Sequence, residues 1–451
     1  MGIRMNPGLQ AAGIDPGIVD QLVDAAKIPV ETAKKRREKH VDEKKEYEAL
    51  GSLLGELDGT LNGLKTKLDF YKLRLDSSHP DIIEGTVAAG AIVGNYEMEV
   101  RSIARSDKEL AYGFPDKDNT PVGFGFMLIE REDKEPYEMI VEPNTTLEQL
   151  ANQINDNNIG VKAMVVNTKY KPDPYRLLVV SEDSGKESKI IIDPDTTFLE
   201  FKEQVRGRNV DILFEDVPIT DDDNILDELI SDVTLNVKKA EPGTLVQISV
   251  VHDEDETYTS IANFVESYNK VASFINQQFQ ANPETGAYGI LSGDSSIKMV
   301  MRQLQSTLVN IPQGAKKFRT LADIGITTNP KTGELNIKEA KVREALSEDY
   351  DSVAKLFIRT NDSIGVAQVM AERLKGLKNS STGALKSKIR GVERIIENQD
   401  KEIERRQRQM EQREVAIRRQ FTALGSTLGE LKSQGDFLSA KFGGGGGNKA
   451  K

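Results

Sequence analysis

Cysteine and tryptophan are absent from this chain of 451 residues, and histidine occurs only three times. Without cysteine the chain forms no disulfide and offers no thiolate to a metal ion. His40, His79 and His252 do not have the short spacing of metal ligands. The lack of cysteine fits a reducing compartment, and it fits equally well a protein that is exported unfolded and must not cross-link. We therefore predict no metal site.

Long apolar runs and a net positive charge are also missing. No stretch of about 18 apolar residues occurs, so we expect no helix that spans a membrane. The first 15 residues lack the basic, apolar and small-residue order of a cleaved secretory signal. Lys and Arg total 60 against 72 Asp and Glu, a net charge of −12. Such a chain is a poor general binder of nucleic acid or anionic membranes, and we predict neither as a partner.

Recognisable catalytic and cofactor motifs are missing as well. Asp221 to Asn224 could begin a calcium loop, but Ile225 and Leu226 stand where a further ligand and a glycine are needed. We interpret this acidic run as the cap of a helix over Ile225 to Ile230. Gly123-Phe124-Gly125 lacks the third glycine of a nucleotide-binding loop. We therefore predict that the chain is not an enzyme, has no catalytic residues and binds no cofactor.

What is present is a long heptad pattern near the C-terminus. Apolar residues recur there at an unbroken spacing of seven, which is typical of one seam of a coiled-coil helix. The interleaved seam positions become polar, so we expect a partner that covers half the seam or supplies carboxylates to Arg406 and Arg413. The predicted seam residues are Ile389, Ile396, Ile403, Met410, Ile417 and Leu424.

A second seam near the N-terminus is apolar at both positions, so we predict that the two ends of the chain pair. This helix should begin near Val30, because Pro29 should break the preceding one, and should end by Asp76. Glycine recurs every fourth residue from Gly51 to Gly63, which indicates either a closely packed backbone face or a weakened helix. The seam residues are Leu50, Leu54, Leu57, Leu61, Leu64 and Leu68.

Between the two ends the apolar period changes from helical to two, from about residue 81 to 253. The sequence thus predicts an α+β fold: an antiparallel helical stalk from both chain ends, carrying an inserted, mainly β head of one or two small α+β lobes. One helix interrupts the strands at Thr145 to Ile154. The predicted domains are an N-terminal leg (1–80), two head domains (81–194 and 195–255), a helical stalk with a hairpin near 324–337 (256–378), a C-terminal leg (379–442) and a disordered glycine-rich tail (443–451).

Short sequence blocks spread over nearly the whole chain carry a family resemblance. They include Gly13–Asp15, Ile18–Val23, Gly94–Val100, Thr145–Ile154, Phe264–Asn269, Leu291–Asp294, Leu321–Ile326 and Arg419–Leu424. In this order they resemble the FliD family of flagellar filament-capping proteins, which are hook-associated proteins. The glycine-run tail and the glycines at spacings of four depart from the family pattern and concern the leg.

The resemblance implies a secreted, extracellular protein at the tip of the bacterial flagellum, exported by the flagellar type III apparatus without a cleaved signal. It implies a homo-oligomeric ring under which flagellin folds and polymerises. The further partners that it implies are hook–filament junction proteins and, before secretion, a cytoplasmic export chaperone. The alternative is a coiled-coil adaptor or scaffold with an α+β recognition head and no flagellar role.

If the resemblance holds, the distal part of the C-terminal helix docks onto these partners. Its polar seam makes a poor isolated coiled coil, because an unpaired buried charge is costly. We expect residues before about Lys44 and after about Arg413 to be mobile until they dock. The predicted docking residues are Arg406, Arg413, Phe421, Leu424 and Leu431.

Overall fold

The structure, a computed structural model, describes residues 17–132, 134–193, 199–309, 317–360, 364–379 and 383–442. The chain forms two compact units. We call residues 1–66 with 258–451 the helical unit, and residues 67–257 the β unit. The predicted tail over 443–451 and the first 16 residues of the predicted N-terminal leg lie outside the described residues.

Helices dominate the helical unit and strands dominate the β unit. The helices are α1 (Gly17–Leu61), α2 (Lys67–Phe70), α3 (Leu147–Asp156), α4 (Glu254–Phe279), α5 (Ser295–Leu308), α6 (Glu339–Glu348), α7 (Tyr350–Phe357), α8 (Val366–Lys378) and α9 (Ala384–Phe442). The strands are β1 (Leu73–Ser77), β2 (Ile83–Val87), β3 (Gly94–Ser102), β4 (Lys108–Ala111), β5 (Gly125–Arg131), β6 (Tyr137–Val141), β7 (Val161–Asn167), β8 (Tyr175–Ser181), β9 (Ile190–Asp193), β10 (Phe201–Val205), β11 (Val210–Phe214), β12 (Val217–Asp221), β13 (Ile225–Ile230), β14 (Val233–Val237), β15 (Leu245–His252), β16 (Ile326–Thr328) and β17 (Leu335–Ile337).

Helix α1 differs from its prediction at both ends. It continues through Pro29, which was expected to break it. A proline inside a helix costs about 3 kcal/mol, but Val23 and Val30 on either side of it are buried, and such packing offsets the local cost. The helix ends at Leu61 rather than near Asp76, because Leu75 is used in strand β1, opposite Val250 of β15.

The β unit contains two apolar cores, and each defines a lobe. The first lobe joins a five-stranded sheet, in the order β1-β15-β3-β11-β12, to a three-stranded sheet, β13-β14-β2. Its core takes residues from both β2–β3 and β11–β15. The helix predicted over Ile225 to Ile230 is wrong, since this segment is strand β13, where Leu226 and Ile230 are buried. The acidic run before it therefore caps no helix.

The second lobe is inserted between β3 and β11 of the first. A four-stranded sheet, β10-β4-β8-β7, a three-stranded sheet, β6-β5-β9, and helix α3 enclose its core. Leu199 after the predicted boundary belongs to this core, while Ile83 and Met98 before it belong to the other. The two cores thus divide the sequence differently from the predicted head domains 81–194 and 195–255, whose boundary at Pro194 lies outside the described residues.

Local signals predicted several elements well. Thr146 caps α3 in the expected capping box with Gln149, and Asp294 caps α5. The hairpin predicted near 324–337 is β16 paired with β17. Helices at both ends of the chain and small antiparallel sheets between them confirm the predicted α+β fold.

Candidate docking surfaces

The two terminal helices pair side by side in the helical unit. Lys44 of α1 lies 2.9 Å from Glu393 of α9, and Arg37 pairs with Asp400. Nearer the N-terminus, Pro29 offers its carbonyl oxygen to Arg406 at 3.5 Å. Residue numbers fall along α1 as they rise along α9, so the pair is antiparallel.

The seam of α1 is buried where it was predicted, with one exception. Leu54, Leu57, Leu61 and Leu64 are fully buried, and Leu50 is almost fully buried. Leu68 lies outside α1, in the short helix α2 of the β unit, and its side chain is 65% exposed. It is therefore not a seam residue, because the chain has already left the helix at Leu61.

Along α9 the seam changes from buried to half-buried to exposed. Leu385, Ile389 and Val392 are buried. Leu424 and Leu431 are 44% and 57% exposed, so α9 presents apolar side chains beyond the stretch that α1 covers. The intervening seam residues Ile396, Ile403, Met410 and Ile417, together with the predicted docking residue Phe421, are half-buried.

The polar seam positions find different partners from those expected. Arg406 donates from Nε to Glu402 of its own helix at 2.8 Å, not to a carboxylate of α1. Arg413 is exposed. Neither arginine has the carboxylate partner that was predicted. The reason is the same for both: the side chains on this part of α9 reach solvent, so they need no buried counter-charge.

Only one of the four spaced glycines marks a close backbone approach. A Cβ atom on Gly51 would lie 3.3 Å from Cδ2 of Leu385 in α9. A Cβ on Gly55 would lie 4.0 Å from Nζ of Lys378, and one on Gly59 would meet nothing within 4 Å. The packed-face interpretation therefore holds at Gly51 and not along the whole row.

A polar cluster fastens the buried end of the helix pair. The hydroxyl of Tyr47 in α1 donates to Asp294, and Nζ of Lys388 in α9 lies 3.0 Å from the same carboxylate. Asp294 also accepts from the backbone N–H of Ser296 at 2.8 Å, which caps α5. Burial raises the pKa of Asp294, but these hydrogen bonds outweigh it and lower the pKa to about 2. One carboxylate thus joins three helices.

The second lobe of the β unit presents an outward sheet face that sequence reasoning missed. We call the outward side of β5, β6 and β9 the acidic face. Phe126 lies opposite Ile140, and they are 52% and 61% exposed. The charged side chains at outward positions of these strands are all carboxylates, namely Glu130, Glu138 and Asp193.

The other sheet of this lobe presents what we call the basic face. It is the outward side of β4, β7, β8 and β10, where Met164 lies opposite Leu178 and Lys162 opposite Val180. The remaining charged side chains at outward positions are also basic, namely Lys108, Arg176 and Lys202. Alternation of apolar and charged residues, as in Lys162-Ala163-Met164, is a signal that could have identified this face from the sequence.

A buried carboxylate joins the two sheets that carry these faces. Asp107, directly before β4, accepts from the backbone N–H of Ile190 in β9 at 2.8 Å and from that of Gly207 at 2.9 Å. Its side chain is fully buried, so both hydrogen bonds are shielded from water. Asp107 thereby links, from within the lobe, the two sheets that carry the acidic and basic faces.

Over the described ranges, no group of three or more His, Asp or Glu side chains is arranged to hold a metal ion. Within the same ranges, no helix has the length and hydropathy required to cross a membrane.

Paired terminal helices and an inserted two-lobed β unit, both with exposed apolar side chains, define the architecture of this α+β protein. The family models of the N-terminus and C-terminus of flagellar hook-associated protein 2 match residues 13–107 and 207–433, the second covering half of the chain by itself. The chain therefore belongs to the flagellar hook-associated protein 2 family, the FliD family. This confirms the resemblance and the predicted filament-cap function, and the alternative of a non-flagellar adaptor is not supported.

Individual relatives agree over most of the chain. The flagellar hook-associated protein 2 of Escherichia coli K12 is 23% identical over 96% of both chains. The B-type protein of Pseudomonas aeruginosa is 26% identical, over 84% of this chain and 85% of its own. The crystal structure of domains D1–D2–D3 of the E. coli flagellar cap protein FliD has the same fold, with a TM-score of 0.60 at 23% identity, and covers 77% of this chain and 99% of that one.

Proposed function

We propose that this flagellar cap protein works as a closed ring of copies at the filament tip. In this ring the β units form a plate, and the paired terminal helices act as legs that contact flagellin and the hook–filament junction. Flagellin subunits then fold and polymerise beneath the plate. The role is structural rather than enzymatic.

The observation that carries this proposal is the decrease of burial along α9. Leu385 is buried against α1, whereas Leu424 and Leu431 are about half exposed. An exposed apolar row on a helix is a docking surface for another protein. The docking set is the predicted one, Arg406, Arg413, Phe421, Leu424 and Leu431, and we expect residues after about Arg413 to become ordered on docking. The predicted mobility before about Lys44 is not part of this proposal, because Val23 and Val30 are buried and Arg37 pairs with Asp400 of α9.

Export precedes assembly in this proposal. The chain leaves the cell through the flagellar type III apparatus without a cleaved signal, and a cytoplasmic chaperone covers the C-terminal region until then. The absence of cysteine supports this route, since no disulfide can form in an unfolded chain during passage.

Deletion of Phe421 to Lys451 tests the leg. The truncated protein should keep a folded β unit, because the deletion removes only helical-unit residues. Capping should be lost, so flagellin should leak into the medium and motility should fail. Far-UV circular dichroism, flagellin in culture supernatant and a swimming assay measure these three outcomes. Full-length filaments with the truncated protein would rule the docking leg out.

A further inference from the structure

We propose that the acidic face of one copy docks on the basic face of the next copy, and that this contact closes the ring. The inference rests on the proposed ring and names the surfaces that build it. Each face belongs to the second lobe, so the contact is made between β units.

The acidic face has the composition of a docking surface. Phe126 and Ile140 face each other across β5 and β6 with at least half of each side chain exposed, and Ile191 on β9 is 48% exposed. Their neighbours in the strands, such as Met127 and Met139, are buried in the core, so the strands are two-sided. When one face of a sheet packs in the core and the other face also carries apolar residues, the outward face is expected to pack against another protein surface.

The basic face is complementary to the acidic face, because it also exposes apolar residues and carries the opposite charge. Its centre is apolar, with Met164 48% exposed and Leu178 and Val180 half-buried on the neighbouring strand. Nε of Arg176 is buried and has no hydrogen-bond partner among the described residues.

The charges favour contact between unlike faces. Outward charged positions carry Glu130, Glu138 and Asp193 on one face and Lys108, Lys162 and Arg176 on the other. Two acidic faces, or two basic faces, would place like charges against each other, and this disfavours a two-fold dimer. Contact between unlike faces is heterologous, and heterologous contacts generate rings or filaments rather than dimers.

The position of the two faces allows the contact to repeat. The inward residues of both sheets, for example Met127 on β5 and Val179 on β8, belong to one core. The outward faces therefore point away from a shared interior, so a copy bound through one face leaves its other face free. Repetition of this contact adds copies until the ring closes.

Charge reversal on each face, in the full-length chain, tests the contact by sedimentation velocity across protein concentration. Glu130→Lys with Glu138→Lys should weaken self-association by at least tenfold, and Lys162→Glu with Arg176→Glu should do the same, since like charges then meet. The chain with all four substitutions should assemble again, because its faces are complementary with signs exchanged. Weakened assembly without recovery in the fourfold variant would overturn the pairing of these faces.

Mixing the two double variants separates heterologous from self-complementary contact. In the mixture one variant is basic on both faces and the other is acidic on both faces, so each contact between the two variants joins unlike charges. Association should therefore recover as an alternating assembly of the two variants, which neither variant forms alone. The matched control is Lys186→Glu with Glu187→Lys, a sign exchange on an exposed 3₁₀ turn outside both faces, which should assemble like the parent. Circular dichroism verifies the fold of each variant.

The outcomes also separate this inference from the ring itself. If the parent assembles and neither double variant is weakened, the faces are wrong and the ring stands. If the parent stays monomeric at every concentration, the proposed ring fails, and the inference fails with it.

Discussion

The two ends of α9 carry the same spacing of seven but have different surroundings. Near its start, Leu385, Ile389 and Val392 are buried against neighbouring helices. Toward its end, Leu424 and Leu431 continue the seam of Ile389 at multiples of seven residues and are exposed. Heptad spacing thus determines where an apolar stripe lies on a helix, but the partner determines whether that stripe is a core or a docking surface.

The largest effect should come from the buried side of this comparison. Leu57 and Leu61 in α1 are fully buried, so replacing both by Ala should lower the free energy of unfolding by about 2–5 kcal/mol for each residue. Urea denaturation of the purified protein measures the loss. Ile395→Ala on the exposed side of α9 is the matched control, and an unchanged midpoint in the double variant would show that the seam is not packed in solution.

A smaller loss should follow from Asp294→Asn, which weakens the polar cluster at the buried end. We expect about 1–3 kcal/mol at neutral pH, because the hydroxyl of Tyr47 and the ammonium of Lys388 lose a charged acceptor.

The pH dependence of this loss has a definite sign. Folding lowers the pKa of Asp294 from 3.8 to about 2, so its stabilisation is complete above pH 3.8 and disappears as the pH falls through about 2. The difference between Asp294→Asn and the parent should therefore shrink in urea titrations at pH 2.5. Glu344→Gln, at an exposed position, is the control, and a constant difference at both pH values would contradict the role of the charge.

Arg406→Gln, in the middle of α9, should cost less than about 1 kcal/mol. Its side chain is 34% exposed and its guanidinium pairs with Glu402 on the same helix, and such surface pairs contribute little. Thermal denaturation at low and high salt measures the effect. A loss of about 3–5 kcal/mol would instead indicate a buried pair with a carboxylate of another segment.

The smallest effect on stability should be found at the exposed end. Leu424→Ala with Leu431→Ala should change the free energy of unfolding by no more than about 0.5 kcal/mol, because neither side chain is covered. The same variant should lose capping, measured as flagellin released into the medium. Leu424→Met with Leu431→Met preserves the apolar surface and should retain capping. Normal capping by the Ala variant would exclude these residues from docking.

Sequence reasoning succeeded where a local signal and the tertiary environment agree. The heptads of α1 and α9, the cap of α3 by Thr146 and the hairpin of β16 and β17 are of this kind. It failed where long-range pairing overrides a local pattern. Leu68 and Leu75 continue the helical spacing of α1, yet Leu75 is paired with Val250, far along the chain.

Long-range pairing also explains the wrong helix prediction at Ile225 to Ile230. This segment has a helix-like apolar spacing, but pairing with β14 makes it a strand.

The docking surfaces were only partly predictable for a related reason. The acidic and basic faces depend on which strands become neighbours, and strand order cannot be read from the period of a single strand. The partners of Arg406 depended on how much of α9 lies beneath another helix, which spacing alone does not reveal.

The pairing of β1 with β15 makes the β unit a replaceable module. Leu73 and His252 are partners in one ladder, so the chain enters and leaves this unit on neighbouring strands, with their Cα atoms about 5 Å apart. A graft between these two points needs only another domain whose termini are adjacent. We therefore expect the helical unit to accept β units of different size, provided that their termini are adjacent.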